Sequence, residues 1–288
     1  MFQPINIQVF TFFLCVWVGL QGTLELGFVR LNLLSLEHRF SLTASQLAYI
    51  LAGYDVASVL CLLPFTYMTT RFQVDKARVF PVGLIIMGIG ALILTLPQFL
   101  IPPVTITDST NDTDLCIHHI PGDELPPNPR VVGPAQSRSF IVGIFVFGQA
   151  LIGMGTMPLY TLAVTWIDEN IPKRKSALYV GFFYTSNILG TALGYIVGGY
   201  TLDTVHTDFL TQEAPLTIDS SSKAWIGAWW LLFLGIGVIG IILGTVVFFY
   251  PKDLVRKEPD EMYNTQDQGD GKTPLRVILK SLMQNPVS

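Results

Sequence analysis

Long uncharged stretches alternate with short polar connections along this 288-residue chain. No charged residue occurs at 79–107, 139–167, 176–202 or 224–251. A helix that crosses a bilayer needs about 20 predominantly apolar residues, and each of these stretches is long enough. The pattern therefore predicts four membrane-spanning helices.

Two further spans are weaker in the pattern. The stretch 44–70 is apolar except for Asp55, and the first 24 residues carry no charge, with an apolar pattern continuing through Glu25 and Arg30. The N-terminal stretch lacks the basic start and small-residue cleavage site of a signal peptide, so a retained helix is expected. The predicted fold is all-α, a polytopic membrane protein with spans TM1 to TM6 at about 9–34, 44–68, 79–101, 140–166, 177–202 and 224–250.

Composition supports the membrane class. Half of the residues are hydrophobic and only 13% are charged, whereas soluble domains carry about 25% charged residues. A net charge of −4 offers no basic face, so no nucleic-acid partner is predicted. The sequence shows no Ser/His/Asp arrangement, phosphate-binding loop or zinc motif, and His118 and His119 are adjacent rather than spaced as ligands. We expect no enzyme activity, no metal and no cofactor.

The basic residues of the connections are distributed unevenly. Twelve Lys and Arg residues fall in the 2–3 and 4–5 connections and in the C-terminal tail, against four on the other side. Because basic loops remain cytoplasmic, both termini are predicted in the cytoplasm. Residues 102–139 then form an extracellular loop and 252–288 a cytoplasmic tail. The sequon at Asn111 falls on the extracellular side, where N-glycosylation occurs.

Polar residues within the spans are costly and therefore informative. Thr43 and Gln46 have the pattern of a capping box, which places Asp55 about 18 Å further along the helix, near the middle of the membrane. A carboxylate there costs about 2.5–3.5 kcal/mol, so Asp55 is expected to face water, meet a basic partner or be protonated. A gating role and a purely structural hydrogen bond both remain open. Glu25 and Arg30 lie about 140° apart on an α-helix and form a poor intrahelical pair.

Small and aromatic residues predict how the helices pack. Gly190, Gly194 and Gly198 in TM5, like Gly240 and Gly244 in TM6, have the spacing that lets helices approach closely in lipid. Gly153, Gly155 and Pro158 permit a bend or break in TM4, or a simple packing kink. On a helix, Trp225 and Trp229 would share one face, which fits an aromatic belt at the membrane interface as well as a binding surface.

The run WIGAWW at 225–230, with Phe233 and Leu234, closely resembles the sixth-span signature of the organic anion transporting polypeptides, a family of the major facilitator superfamily. The segments SLEHRFSLTASQLAYILAGYDVASVL, GMGTMPLYTLAVTWIDE and FFYPKDL are also similar to this family. Several positions depart from its pattern. Ser222, Ala224 and Leu232 replace the Asp, Arg and Gly of the signature, Asp55 stands where Glu is usual, Gln98 where His is common, and Ile152 where a basic residue is common.

The resemblance implies the N-terminal half of a major facilitator fold, whose members have twelve spans in two halves. It implies sodium-independent transport of large amphipathic organic anions at the plasma membrane. Partners would be the anion, the lipid bilayer, and a missing C-terminal half or another transporter chain. By length, the chain is a short isoform, a fragment or an incomplete gene model. Within this scheme Arg30 would attract the anion, Asp55 would serve gating, and Tyr184 and Asn187 would line the path. The signature residues at the outer mouth are Trp225, Gly227, Trp229 and Trp230.

Two other functions fit the residues. One is a different solute carrier of the superfamily, coupled to protons through Asp55, which uptake measured at several pH values would distinguish. The other is a membrane protein without transport activity that modulates a full-length partner through its helix faces. Co-purification with a transporter, without uptake by the chain itself, would favour this second alternative.

The topology predicts that Asn111 is extracellular and glycosylated. Expression in eukaryotic cells followed by glycosidase treatment should increase electrophoretic mobility, and Asn111→Gln should already migrate at the faster position. Protease mapping of the 102–139 loop is the control for inefficient glycosylation. A loop that is cleaved only after the membrane is permeabilised would contradict this orientation.

Overall fold

The structure, a computed structural model, describes residues 7–71, 76–101, 106–107, 130–131, 138–171, 173–209 and 225–249. Six helices of this part of the chain are long and apolar enough to cross a membrane. TM2 is Ala44–Arg71, TM3 is Lys76–Leu100, TM4 is Arg138–Asn170, TM5 is Lys173–Thr204 and TM6 is Leu231–Phe248. Two short strands, Ile106–Thr107 and Arg130–Val131, pair antiparallel between TM3 and TM4. Asn111 and the predicted tail lie outside the described residues.

TM1 consists of three consecutive helical segments. Residues Ile7–Gln21 are α-helical, Gly22–Val29 are π-helical, and Arg30–Phe40 return to the α-helix. A π-helix closes hydrogen bonds between residues five apart and usually occurs as a short insertion near functional sites. The segment ends at Ser41, whose left-handed φ of 51° turns the chain towards TM2.

TM2 begins with the predicted capping box. The backbone N–H of Thr43 donates to the Gln46 side-chain oxygen at 2.9 Å, and the Gln46 N–H donates to Thr43 Oγ1 at 3.4 Å. These reciprocal bonds satisfy two donors that a helix start leaves unpaired. The capping prediction is therefore confirmed, and it fixes the start of the helix that carries Asp55.

Of the alternatives left open for TM4, a break does not occur, because the helix runs uninterrupted through its glycines and Pro158. The glycines instead admit neighbouring backbones. A Cβ at Gly153 would lie 2.5 Å from the carbonyl oxygen of Tyr54 in TM2, and one at Gly155 would lie 2.6 Å from that of Gly83 in TM3. TM4 is thereby held closely between TM2 and TM3.

The bundle is assembled from a few extensive helix pairs. TM3 lies between TM4 and TM6, TM2 packs on TM4, and TM5 packs on TM1. The TM1–TM5 contact depends on the predicted small residues, since a Cβ at Gly190 would overlap the carbonyl of Gly19. The hydroxyl of Thr23 also donates across this contact to the Gly190 carbonyl at 2.8 Å. Such close approach brings dispersion and hydrogen bonding to helices that lipid would not otherwise drive together.

We predict that Gly190→Ala destabilises the bundle by about 1–3 kcal/mol, because the added methyl group forces TM1 and TM5 apart. The measurement is thermal unfolding in detergent, followed by size-exclusion chromatography. Gly199→Ala is the matched control, since nothing lies within 4 Å of a Cβ there. It should leave stability unchanged or raise it slightly through better helix propensity. Equal melting temperatures for the two variants would contradict the role given to this contact.

Candidate functional site

Four polar side chains from four helices form a hydrogen-bonded network inside the bundle. The Tyr160 hydroxyl donates to Gln21 Oε1 at 2.5 Å, and the Asn187 amide nitrogen lies 2.8 Å from that hydroxyl and 3.0 Å from Gln21 Oε1. Gln21 in turn donates to the Tyr54 hydroxyl at 3.2 Å. The network joins TM1, TM2, TM4 and TM5, so it fixes their relative positions at this level.

A charged group lies one helical turn further along TM1. Glu25, in the π-helical segment, is buried and within hydrogen-bonding range of the Gln149 side chain of TM4. Asp55 of TM2 and Arg30 of TM1 both interact electrostatically with its carboxylate. Glu25 thus brings together Arg30 and Asp55, which the sequence placed on separate spans without a common partner.

The predicted site residues differ in exposure. Arg30 and Asp55 are exposed, and Tyr184 retains 49% of its accessible surface. Asn187 is partly buried and belongs to the polar network. The structure thus associates Asn187 with the network, and Arg30 and Asp55 with Glu25.

Sequence reasoning overlooked three members of the network, which are Gln21, Tyr54 and Tyr160. Gln21 could have been found, because it is a polar residue within an uncharged and mostly apolar stretch. The tyrosines gave no such signal, since tyrosine is common in membrane helices. The hydrogen-bond partner of its hydroxyl lies on another helix and is known only from the structure.

The tryptophan signature is not helical. TM6 begins at Leu231, and the preceding segment pairs with the chain that follows TM5 through a bridge between His206 and Gly227. We call residues 205–208 and 225–230 together the tryptophan clasp. The Thr207 N–H donates to the Ile226 carbonyl at 2.9 Å, and the Ala228 N–H donates to that of Val205 at 2.7 Å.

Gly227 is required by this pairing. A Cβ at this position would overlap the backbone of Leu202, the last turn of TM5. The Trp225 indole N–H donates to the same Leu202 carbonyl at 2.8 Å, and the Trp230 indole N–H donates to the Thr207 carbonyl at 2.9 Å. Both rings therefore hold the end of TM5 against the start of TM6.

The shared helix face predicted for Trp225 and Trp229 is wrong, because the segment is not helical. The aromatic belt, one of two alternatives left open, does not describe Trp229 and Trp230. Trp229 is fully buried and Trp230 keeps only 3% of its surface, so neither ring lies at the lipid interface. The Trp229 ring packs edge to face on Phe40 and Phe145, and its carbonyl accepts a bond from Asn32 of TM1 at 2.9 Å. Trp229 consequently connects the clasp to TM1 and TM4.

A buried ion pair completes the clasp. Arg39, near the end of TM1, lies 3.8 Å from Asp208, and both side chains are almost fully buried. Gln98 of TM3 donates to Asp208 Oδ1 at 2.7 Å and accepts from the Thr207 hydroxyl at 3.2 Å. The resemblance described above gives histidine as common at the position of Gln98. In this chain the uncharged Gln98 amide donates to the Asp208 carboxylate instead.

His206 adds a titratable group beside this pair. Its Nδ1 accepts the Asp208 backbone N–H at 3.2 Å, and its ring meets Trp225 edge to face. Burial lowers the pKa of His206 below its ordinary value; Asp208 opposes this shift and Arg39 reinforces it. His206 is accordingly neutral at pH 7, which leaves Nδ1 free to accept.

The six-helix arrangement has a counterpart among solved structures. It matches the xylose transporter XylE from E. coli, in a partially occluded inward-open conformation, with a TM-score of 0.53 and 17% identity. The match covers 84% of this chain and 50% of XylE. The chain therefore has the fold of one half of a major facilitator transporter.

Sequence comparison narrows this class to one family. The model of the Organic Anion Transporter Polypeptide family matches residues 9–285. Mouse solute carrier organic anion transporter family member 4A1 is 36% identical over 88% of this chain and 34% of its own length. Human member 4C1 is 30% identical over 76% of this chain and 29% of its own. The chain belongs to the Organic Anion Transporter Polypeptide family, and it spans about a third of the length of the curated relatives it matches.

We predict that Asp208→Asn destabilises the protein by about 3 kcal/mol, because it removes the negative charge that faces the buried Arg39 guanidinium. Thermal unfolding of the purified protein measures the loss. Asp203→Asn, an exposed change one turn earlier on TM5, is the matched control and should cost less than about 0.5 kcal/mol. Equal stability of the two variants would show that the ion pair is dispensable.

Proposed function

We propose that this chain forms the N-terminal half of a sodium-independent transporter for large amphipathic organic anions. Membership of the family supports the anion class. The observation that carries the proposal is the exposure of Arg30, Asp55 and Tyr184 together with many large apolar side chains of TM2 and TM5. A steroid- or bile-salt-like anion combines the same two features, an apolar body and a negative group.

The exposed sides of TM2 and TM5 form part of a cavity only when another protein domain covers them. Only 17% of the most apolar stretch of TM2 and of TM5 is buried, against 56% for TM3. Charged and polar side chains in the membrane face a water-filled cavity or a protein partner rather than lipid. A second six-helix half covering TM2 and TM5 encloses them, and rocking of the halves exposes the site to each side in turn.

Individual residues then take distinct roles. Arg30 supplies the positive charge that attracts the anion. Asp55 serves gating or a charge network. Tyr184 presents an exposed aromatic ring to the apolar body of the substrate. Asn187 supports the wall through its bonds to Gln21 and Tyr160. The tryptophan clasp keeps the mouth of the half rigid.

The proposed location is the plasma membrane with both termini cytoplasmic. The support is the distribution of basic residues among the connections, which places the 2–3 and 4–5 connections inside. The tryptophan clasp follows TM5 and precedes TM6, so in this orientation it lies at the extracellular end of the bundle.

We expect proteoliposomes containing this chain alone to show no saturable uptake of a labelled steroid sulfate. Co-reconstitution with the C-terminal half of mouse member 4A1 should restore uptake, and replacing sodium by choline should leave it unchanged. Saturable uptake by the chain alone would refute the need for a second half. No uptake with any second half, despite a stable complex, would refute transport and favour a modulating role.

Substitutions test the assigned path in the assembled transporter. Tyr184→Ala should raise the KM for the steroid sulfate several-fold through lost apolar contact. Tyr200→Ala is the matched control, because Tyr200 is also exposed on TM5 but lies about 160° around the helix from Tyr184. Equal effects of the two substitutions would remove Tyr184 from the path.

A further inference from the structure

Two acceptor oxygens in the middle of the bundle lack a donor. Glu25 is 6% exposed and Gln149 is 1% exposed. Within the described residues, neither Glu25 Oε2 nor Gln149 Oε1 has a hydrogen-bond partner. A buried polar atom left without its bond costs about 1–3 kcal/mol, and more when it is charged. Two such atoms on hydrogen-bonded side chains indicate that this site takes up a donor or a cation.

The chemistry of the pair favours a proton. The Gln149 side chain is already a hydrogen-bonding neighbour of Glu25, and an amide donates through its nitrogen. A protonated Glu25 then donates from Oε2 to the Gln149 carbonyl oxygen. One added proton therefore satisfies both orphan oxygens and forms the mutual pair of a carboxylic acid and a primary amide.

The surrounding charges support the same conclusion. Asp55 and Tyr54 of TM2 and Arg30 of TM1 act on this site, and Gln149 of TM4 is uncharged. Two carboxylates against a single guanidinium leave one net negative charge at and around the buried Glu25. Like charges close together oppose ionisation, so a single bound proton neutralises the cluster.

Among the described residues, the contacts that TM5 and TM6 make with the π-helical segment are uncharged. TM5 meets the π-helical segment through Gly190, Thr191 and Gly194, and TM6 meets it through the ring of Phe233 on Phe28. Asp55, by contrast, is exposed. The path by which a proton reaches Glu25 therefore starts on the surface that carries Asp55.

We propose that Glu25 is a proton-binding site, in which a proton on Oε2 is donated to Gln149 Oε1. The proton enters from water on the side of Asp55 and leaves the same way, and no other bond is made or broken. The site goes beyond the transport of anions, and its test does not require transport activity.

Infrared difference spectroscopy of the purified protein in lipid nanodiscs detects such a proton directly. The C=O stretching band of a protonated carboxylic acid should be present at neutral pH, shift in deuterium oxide and disappear as the pH is raised. Glu25→Gln should abolish the band, whereas Glu37→Gln, an exposed acid on the same span, should leave it intact. A band that persists in Glu25→Gln, or that is absent from the wild type at neutral pH, would overturn the proposal.

Two further measurements distinguish a bound proton from a permanently charged carboxylate and from a bound metal cation. Asp55→Asn removes the neighbouring negative charge, so at neutral pH the band should lose at least about half of its intensity. Glu25→Gln imitates the protonated state and should melt no lower than the wild type, while a marked loss of stability would show that the fold requires the charge. A carboxylate signal that instead responds to sodium at fixed pH would replace the proton by a metal cation.

Discussion

An apolar surrounding makes every unpaired polar group expensive, and this constraint governs the arrangement of the bundle. Lipid offers no hydrogen bonds, so buried polar groups must find partners within the protein. The network around Gln21 and Tyr160 and the ion pair of Arg39 and Asp208 are two solutions to the same problem. The partners in the network and in the ion pair come from different parts of the chain. The need to pair buried polar groups therefore also helps to determine which helices are neighbours.

The sequence was sufficient for features that depend on local spacing. The capping box of Thr43 and Gln46 lies within one turn, and the glycine spacing that begins at Gly190 lies within about two turns. The capping box and the close helix approach predicted from this spacing are both confirmed. The fold class followed from span length and count, which the bilayer thickness imposes directly. The family resemblance is likewise confirmed by the comparisons.

Features that depend on distant pairing could not be predicted in this way. The helical interpretation of the tryptophan segment was natural, because Trp225 to Trp230 continue directly into an apolar span. The segment is kept out of the helix by its β-bridge to His206 and by the hydrogen bond from Asn32 to the Trp229 carbonyl. Both partners lie outside the segment in the sequence. Likewise the ideal helical period places Glu25 and Arg30 on different faces, whereas the structure has π-helical turns before Arg30 and an electrostatic effect of Arg30 on Glu25. Neither departure has a local signal.

The buried pair of Arg39 and Asp208 has a consequence for biosynthesis. Arg39 emerges from the ribosome with the first span, but Asp208 follows the fifth, and the tryptophans that cover the pair come later still. Throughout insertion of the intervening spans, the guanidinium must therefore stay hydrated at the membrane surface. Its burial is a late step that requires the fifth and sixth spans, so a nascent chain interrupted before the sixth keeps this cation at that surface.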